Sequence, residues 1–318
     1  MVPGSKGRSE PCYLLDGGLA TTLHDMGYPV DEDPLWSAAY LQKNPDAIKR
    51  VHLAFLDAGA QVISTASYQA NIEGFKKHLN VSQDEARSLI TSAVKLAHDA
   101  ADTFCRDGCP KERPLIAGSL GPYGASLHDG SEYHGCYVDE VSKSQLMDFH
   151  APHLDALLLE SPDLIAWETI PALKEAIVLA ELTAAHDKKP KTWISFSCRN
   201  STETNHGEPF LECVKAMQDL LGDQLIGVGV NCTAPRHVTG LLESASHALN
   251  PNVAFVVYPN SGETWAAGVG WSGQKEILDE GHIKEWQDLG ATYIGGCCRV
   301  SPDDIKQMKR ILASRVQQ

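Results

Sequence analysis

Short apolar, β-rich runs alternate along the chain with longer segments whose apolar residues recur at ~3.6-residue spacing. The runs are Tyr13–Leu15, Val62–Ser64, Leu115–Ala117, Leu164–Trp167, Thr192–Phe196, Leu225–Val230, Val253–Tyr258 and Thr292–Ile294. Several are apolar throughout, the pattern of strands buried on both faces of a parallel sheet. Helices are predicted at Asp46–Ala58, Gln83–Phe104, Asp139–Leu159, Ala172–His186, Phe210–Leu221, Pro235–Ala248, Lys275–Leu289 and Pro302–Val316. In the first of these, Ile48, Val51, Leu53, Ala54 and Phe55 make the apolar face and leave Lys49, Arg50 and Asp57 to solvent. Ser82 with Glu85 fits a capping box, and Ser301 before Pro302, Asp303 and Asp304 is a helix start with dipole-matching acids.

Eight strand–helix units in alternation predict an α/β fold, a single (β/α)8 TIM barrel. A doubly wound sheet would need the glycine fingerprint GxGxxG after the first strand, and none is there; the Gly227/Gly229 pair falls inside a strand. No linker divides the chain, so residues 12–318 are expected to be one barrel domain behind a polar lead-in, 1–11, that lacks the apolar core of a signal peptide.

Composition narrows the function. The chain has 318 residues, a comfortable length for one barrel, and 43% hydrophobic residues, enough for a large core. With 27 Lys+Arg against 41 Asp+Glu, the net charge is −14 and no basic run occurs, which argues against nucleic-acid or anionic-membrane partners. No apolar stretch reaches the ~18 residues of a membrane helix. Nine cysteines, odd in number and thinly spread, suit reduced thiols and a cytoplasmic location better than a disulfide framework. No long exposed apolar helix marks an oligomer interface.

In such barrels the chemistry sits at the C-terminal ends of the strands. The residues just past each run include Asp16-Gly17-Gly18, Thr65-Ala66-Ser67-Tyr68, Ser119-Leu120-Gly121, Glu168-Thr169, Ser197-Cys198-Arg199-Asn200, Asn231-Cys232-Thr233, Pro259-Asn260-Ser261 and Gly295-Gly296-Cys297-Cys298-Arg299. Three of these eight positions carry cysteine. Two glycines let the backbone turn before Cys297 and Cys298, so adjacent thiols can converge, and a third from Cys232 or Cys198 would complete a three-cysteine site. Zinc held by three protein ligands keeps an open position, and soft ligands around it favour a substrate thiol. Cys12, Cys105, Cys109, Cys136 and Cys213 fall off the rim or inside helices and read as structural; His150 and His153 read as residues of the outer helical ring. HExxH, GxSxG and P-loop patterns are absent.

Asp16 and Glu168 end the first and fourth strands. A carboxylate at a barrel mouth needs a positive or hydrogen-bonding partner, and two beside an amino acid would hold its ammonium group. The Gly17–Gly18 backbone N–H groups could bind its carboxylate, although Asp-Gly is also an ordinary turn. A thiolate-activating metal beside an amino-acid clamp points to S-alkylation of a thiol amino acid.

These residues reach a family. From Asp16 through the final helix the chain resembles the homocysteine S-methyltransferases, in Asp16-Gly17-Gly18-Leu19-Ala20-Thr21, Leu35-Trp36-Ser37-Ala38, Thr65–Ala70, Gly118–Ala125, Glu168-Thr169-Ile170-Pro171, Gly229–Thr233, Tyr258–Glu263 and Gly295–Arg299. The resemblance implies a zinc-binding (β/α)8 barrel and selects Cys232 over Cys198 as partner to Cys297 and Cys298. It also implies that homocysteine's amino and carboxyl groups lie near Asp16, Gly17, Gly18 and Glu168. Thr65, Thr169 and Asn231 complete the expected substrate-binding set, Asn231 also orienting the metal loop. Trp36 and Tyr68 are candidates to face a sulfonium donor through cation–π contacts of ~0.5–2 kcal/mol.

Thr65–Ala70 and Leu-Trp-Ser-Ala look like the branch that uses S-methylmethionine. The expected reaction is methionine formation by in-line attack of zinc-bound homocysteine thiolate on the donor methyl. Rival readings keep the site with S-adenosylmethionine or betaine as donor, or selenohomocysteine or selenocysteine as acceptor. Others replace the reaction with a lyase or aldolase using Glu168 as base, or make the chain a non-catalytic zinc-stabilised barrel.

Overall fold

Alternation within each strand explains why several of the runs are apolar throughout. Phe255 and Val257 pack outward against helices, whereas Val256 and Tyr258 point into a second cluster with Leu15, Val62, Ala117, Leu164, Ala166 and Trp193. Two apolar faces mean a parallel sheet covered on one side by helices and closed on itself on the other. The computed structural model describes residues 12–30, 33–106, 112–266, 270–276 and 278–315. The lead-in 1–11 and Cys109 lie outside the described residues.

The barrel strands are β1 (Tyr13–Leu14), β2 (Val62–Ser64), β3 (Leu115–Leu120), β4 (Leu164–Ile170), β5 (Thr192–Phe196), β6 (Leu225–Asn231) and β7 (Ala254–Tyr258). A hairpin of β8 (Thr264–Ala266) and β9 (Gly270–Ser272) follows, and the last barrel strand is β10 (Ala291–Ile294). The eight barrel strands are parallel, each beside its neighbour in sequence, and β10 pairs with β1. Closure between β1 and β2 rests on a Leu15–Val62 bridge, with Gln61 N–H donating to Leu14 O (2.7 Å) and Asp16 N–H to Val62 O (3.1 Å). The expected (β/α)8 barrel is observed. Gly229 matters more to it than its sequence context suggested: a Cβ there would stand 1.8 Å from the Val256 carbonyl oxygen.

Five of the eight predicted helices keep their bounds within two residues: Pro45–Ala58, Gln83–Arg106, Leu173–Ala185, Phe210–Leu221 and Pro235–Ser246. The last helix, Pro302–Arg315, starts as predicted, and Ser301 and Asp304 cap each other reciprocally. Ser82 and Glu85 do the same for the helix at Gln83. Two predicted helices start late. Asp139–Leu159 begins at Lys143 because Ser142 and Gln145 form a capping box there, and Lys275–Leu289 begins at Glu280, capped by Asp279. The periodicity also passed over short helices at Leu19–Asp25, Tyr40–Lys43 and Ile72–Leu79 and the β8–β9 hairpin. These follow β1, β2 and β7, so the extra structure gathers at the C-terminal rim, where a barrel carries its site.

Candidate active site

The two cysteine segments are hung from the chain that leaves β7. Cys232 N–H donates to Tyr258 O (3.3 Å), Cys297 N–H to Pro259 O (2.8 Å) and Ser261 N–H to Cys298 O (3.2 Å). Cys232 takes a left-handed φ of 45°, which turns it off the end of β6 toward the barrel axis. The Sγ atoms of Cys232, Cys297 and Cys298 all lie within 4.8 Å of one another, and Cys298 Sγ is 3.7 Å from Cys232 Sγ. Cys198 is not in this group. It is buried beside Thr233, whose hydroxyl accepts its backbone N–H at 2.9 Å.

Cys232 and Cys297 are joined as a disulfide, which departs from the expectation of reduced thiols throughout. The geometry that lets sulfurs share one ion also brings two within bonding reach. A disulfide has no thiolate to offer, so metal binding belongs to the reduced pair. Burial pushes the Cys298 thiol up to about 11, helped by the nearby Glu132 charge. A soft cation is the partner that would hold three such sulfurs as thiolates at neutral pH, and the donor set fits one.

A cavity of about 400 Å³ is lined by these sulfurs and by two buried carboxyls, Asp16 and Glu168. Asp16 accepts from Ser64 N–H at 2.7 Å and Ser64 Oγ–H at 3.2 Å. Burial raises it to about 8 against those bonds, and the charge of Glu168 adds to the rise. Glu168 accepts from Ser119 Oγ–H and from the Tyr258 hydroxyl, yet burial holds it at about 7. Glu168 and Thr169 lie inside β4 rather than beyond its end, as the sequence runs suggested. The register with β5 slips between Trp167 and Ile170, and Thr169 adopts φ 61°. That bulge interrupts the pleat and brings Glu168 and Thr169 to the cavity wall.

Asn231 ties the two halves together from below. Its Oδ1 accepts from Thr169 N–H (2.6 Å) and Ser195 Oγ–H (2.8 Å), and its Nδ2 donates to Thr169 Oγ1 (2.8 Å) and approaches Cys297 Sγ at 3.8 Å. It has no exposure, and these bonds hold Thr169, Ser195 and Cys297 in register. Thr65 does line the cavity, with its hydroxyl bonded to Ser67 Oγ (2.6 Å) and to Ser119 N–H (2.9 Å).

Gly18 lines the cavity too, and its N–H donates to Val300 O at 3.0 Å. Glycine is required there because a Cβ would stand 2.8 Å from the Cys297 carbonyl oxygen. Gly17 also lines the cavity, as do Trp36 and Tyr68.

The sequence reading missed Glu132, Tyr133 and Tyr258, all cavity residues. Glu132 and Tyr133 sit in a one-turn helix, Ser131–Tyr133, within the long connection from β3 to the helix Lys143–Leu158. A connection that long, with no regular element predicted, was itself the signal. His150 and His153 face inward: His150 Nε2 lies 2.8 Å from Glu175 Oε1, and His153 Nε2 accepts Ile72 N–H at 3.1 Å.

The family model described as homocysteine S-methyltransferase matches residues 13–312. Homocysteine S-methyltransferase 1 of Brassica oleracea var. italica is 41% identical over 313 residues, 96% of this chain and 94% of that protein. A betaine-homocysteine S-methyltransferase of Drosophila melanogaster is 37% identical, covering 95% and 94%. Among solved structures, the homocysteine methyltransferase MmuM from Escherichia coli in its metallated form aligns with a TM-score of 0.83 at 37% identity, covering 96% and 97%. No helix among the described residues is long and apolar enough to cross a membrane.

Proposed function

The chain belongs to the homocysteine S-methyltransferase family, and from that premise we propose that it makes methionine by moving a methyl group from a sulfonium donor, S-methylmethionine, to homocysteine. Zinc on Cys232, Cys297 and Cys298 is the proposed metal. The carrying observation is one cavity lined both by three converging sulfurs and by two buried carboxyls.

When bound, zinc supplies the positive charge that keeps a substrate thiol ionised at neutral pH. The chain's own residues then orient the reactants. Asp16 and Glu168 receive the ammonium group of homocysteine, which restores to each the positive neighbour that burial denies it. Thr65 and Thr169 complete the wall beside it, and Gly17 is the glycine placed to meet its carboxylate. Asn231 keeps the carboxyl side and the sulfur side in register.

The homocysteine sulfur forms its new bond to the methyl carbon as the donor's S–CH3 bond breaks. That bonding pair stays on the departing sulfur, which leaves as neutral methionine. No proton moves in this step, so positioning carries it. Trp36 and Tyr68 flank the cavity where the sulfonium would enter. The sulfur chemistry suits a reducing, cytoplasmic compartment.

The test is methionine formation by zinc-replete, reduced protein offered homocysteine with S-methylmethionine, S-adenosylmethionine or betaine separately, and selenohomocysteine as a second acceptor. Strong turnover with S-methylmethionine is expected. Turnover with betaine alone would replace the donor, and failure with all three would overturn the reaction.

A further inference from the structure

Two carboxyls serve one ammonium in the reading above, yet a third reaches the same cavity. Glu132 is 8% exposed, and its Oε2 has no hydrogen-bond partner. It is not adrift. Ser131 N–H donates to Asp129 Oδ1 at 2.9 Å, Ser197 Oγ–H to the Glu132 carbonyl at 3.3 Å, and Gly135 N–H to Ser131 O at 2.8 Å, so the turn that carries it is pinned. The charge of Glu132 is felt by Tyr68, Tyr133 and Cys298, which places it beside the sulfur cluster and the aromatic wall. The Lys and Arg of the cavity lining are paired with other carboxylates: Lys275 Nζ is 2.7 Å from Asp304 Oδ2 and Arg299 Nε 2.6 Å from Glu263 Oε2, while Tyr133 hydrogen-bonds Cys298. A buried carboxyl oxygen with no donor calls for a positive ligand.

We propose that Glu132 is the donor-recognition residue, its carboxylate facing the sulfonium of the methyl donor across from the homocysteine sulfur. This deepens the proposed function and rests on it. The charge it meets disappears as the methyl leaves, so Glu132 stabilises the bound donor more than the transition state. Its signature is therefore a binding effect. It also favours a donor of net positive charge over betaine, whose own carboxylate sits one carbon from its cation.

The experiment is steady-state kinetics of wild type and Glu132→Gln with S-methylmethionine, with homocysteine binding measured separately by calorimetry. The donor KM should rise roughly 10- to 100-fold. Turnover at saturating donor should hold or increase, and homocysteine affinity should stay within about twofold. A structural role would lower kcat and weaken homocysteine binding together, and that result overturns the proposal. So does an unchanged donor KM. Should the variant not fold, the wild type answers alone. Methionine sulfoxide copies the donor with a neutral sulfur and should compete at least about tenfold more weakly than S-methylmethionine binds; equal affinity overturns the proposal. Wild-type turnover with no effect of the substitution refutes only this inference. No turnover of any sulfonium by the wild type refutes the proposed function, and this with it.

Discussion

Two sets of buried carboxyls share one side of the barrel and differ in how they are satisfied. Glu175, on the helix Leu173–Ala185, has no exposure and three partners: Tyr123 N–H at 2.7 Å, the Tyr137 hydroxyl, and His150 Nε2 at 2.8 Å. Asp16, Glu168 and Glu132 line the cavity with their acidity weakened by burial that their hydrogen bonds do not offset. Glu175 is architecture: it ties Tyr123 and Tyr137, and so brackets the connection that presents Glu132. The cavity carboxyls are left short of positive partners, which a substrate can bring. A buried acid's role is read from what it lacks as much as from where it sits.

The largest effect should come from outside both sets, as a scale for the rest. Cys298→Ala should lose the metal and nearly all turnover, well beyond the roughly 10- to 100-fold cost of losing a supporting residue. Metal content and methionine formation check it; an active, metal-retaining variant breaks the assignment.

Glu175→Ala should cost stability of roughly 3–5 kcal/mol, because it strands Tyr137 and His150 in the interior. Thermal melting reads this directly, and homocysteine binding by the folded protein should stay close to wild type. Asp16→Asn and Glu168→Gln should do the reverse. Homocysteine KM should rise roughly 100-fold, an order-of-magnitude figure for removing one partner of a buried charge pair. Melting temperature should hold or increase, since neither amide has to take up a proton or bury a charge on folding. Equal melting losses across the three variants would erase the distinction.

A pH measurement sharpens it. Asp16 rises from an ordinary 3.8 to about 8 on folding, so between those values the ligand-free folded chain holds the extra proton. Its contribution to stability is therefore lost as pH rises from about 4 to about 8, and Asp16→Asn should flatten that slope. Methionine, which carries no thiol proton, should release protons on binding near pH 7 as its ammonium ionises these carboxyls. Calorimetry in buffers of different ionisation enthalpy counts them, and proton uptake would contradict the assignment. The smallest effect belongs to a carboxylate in water. Lys143→Ala, which removes the surface partner of Glu181, should change stability by less than about 1 kcal/mol.

The sequence exposed what periodicity and composition encode. All eight barrel strands were visible, because burial on both faces makes most of each run apolar. Cys297 and Cys298 were visible because two glycines precede them at a strand end, whereas residue spacing left Cys232 and Cys198 equal and the family resemblance separated them. Bonds between distant segments were not legible. Gly18 looked like an anion-binding N–H, but its hydrogen belongs to Val300, a pairing that only barrel closure creates. Nor could the sequence show that three chain segments converge on the Asn231 amide. Glu132 hid in a connection without periodicity, and its meaning depends on an oxygen that no partner reaches.

The pairing of β1 with β10 sets a schedule for building the site. Asp16 O accepts Gly296 N–H at 3.0 Å, and Arg299 N–H reaches Thr21 Oγ1 across 278 positions of sequence. The Asp16 segment and the sulfur cluster are thus joined by contacts among the longest-range of the described residues, whose closure entropy must be met before the contacts stabilise anything. During synthesis the strands between them can form early, but the catalytic mouth cannot take shape until the last barrel strand has left the ribosome. A nascent chain therefore holds Asp16 and Cys232 without the Gly296–Cys298 segment that both of them meet in the finished barrel.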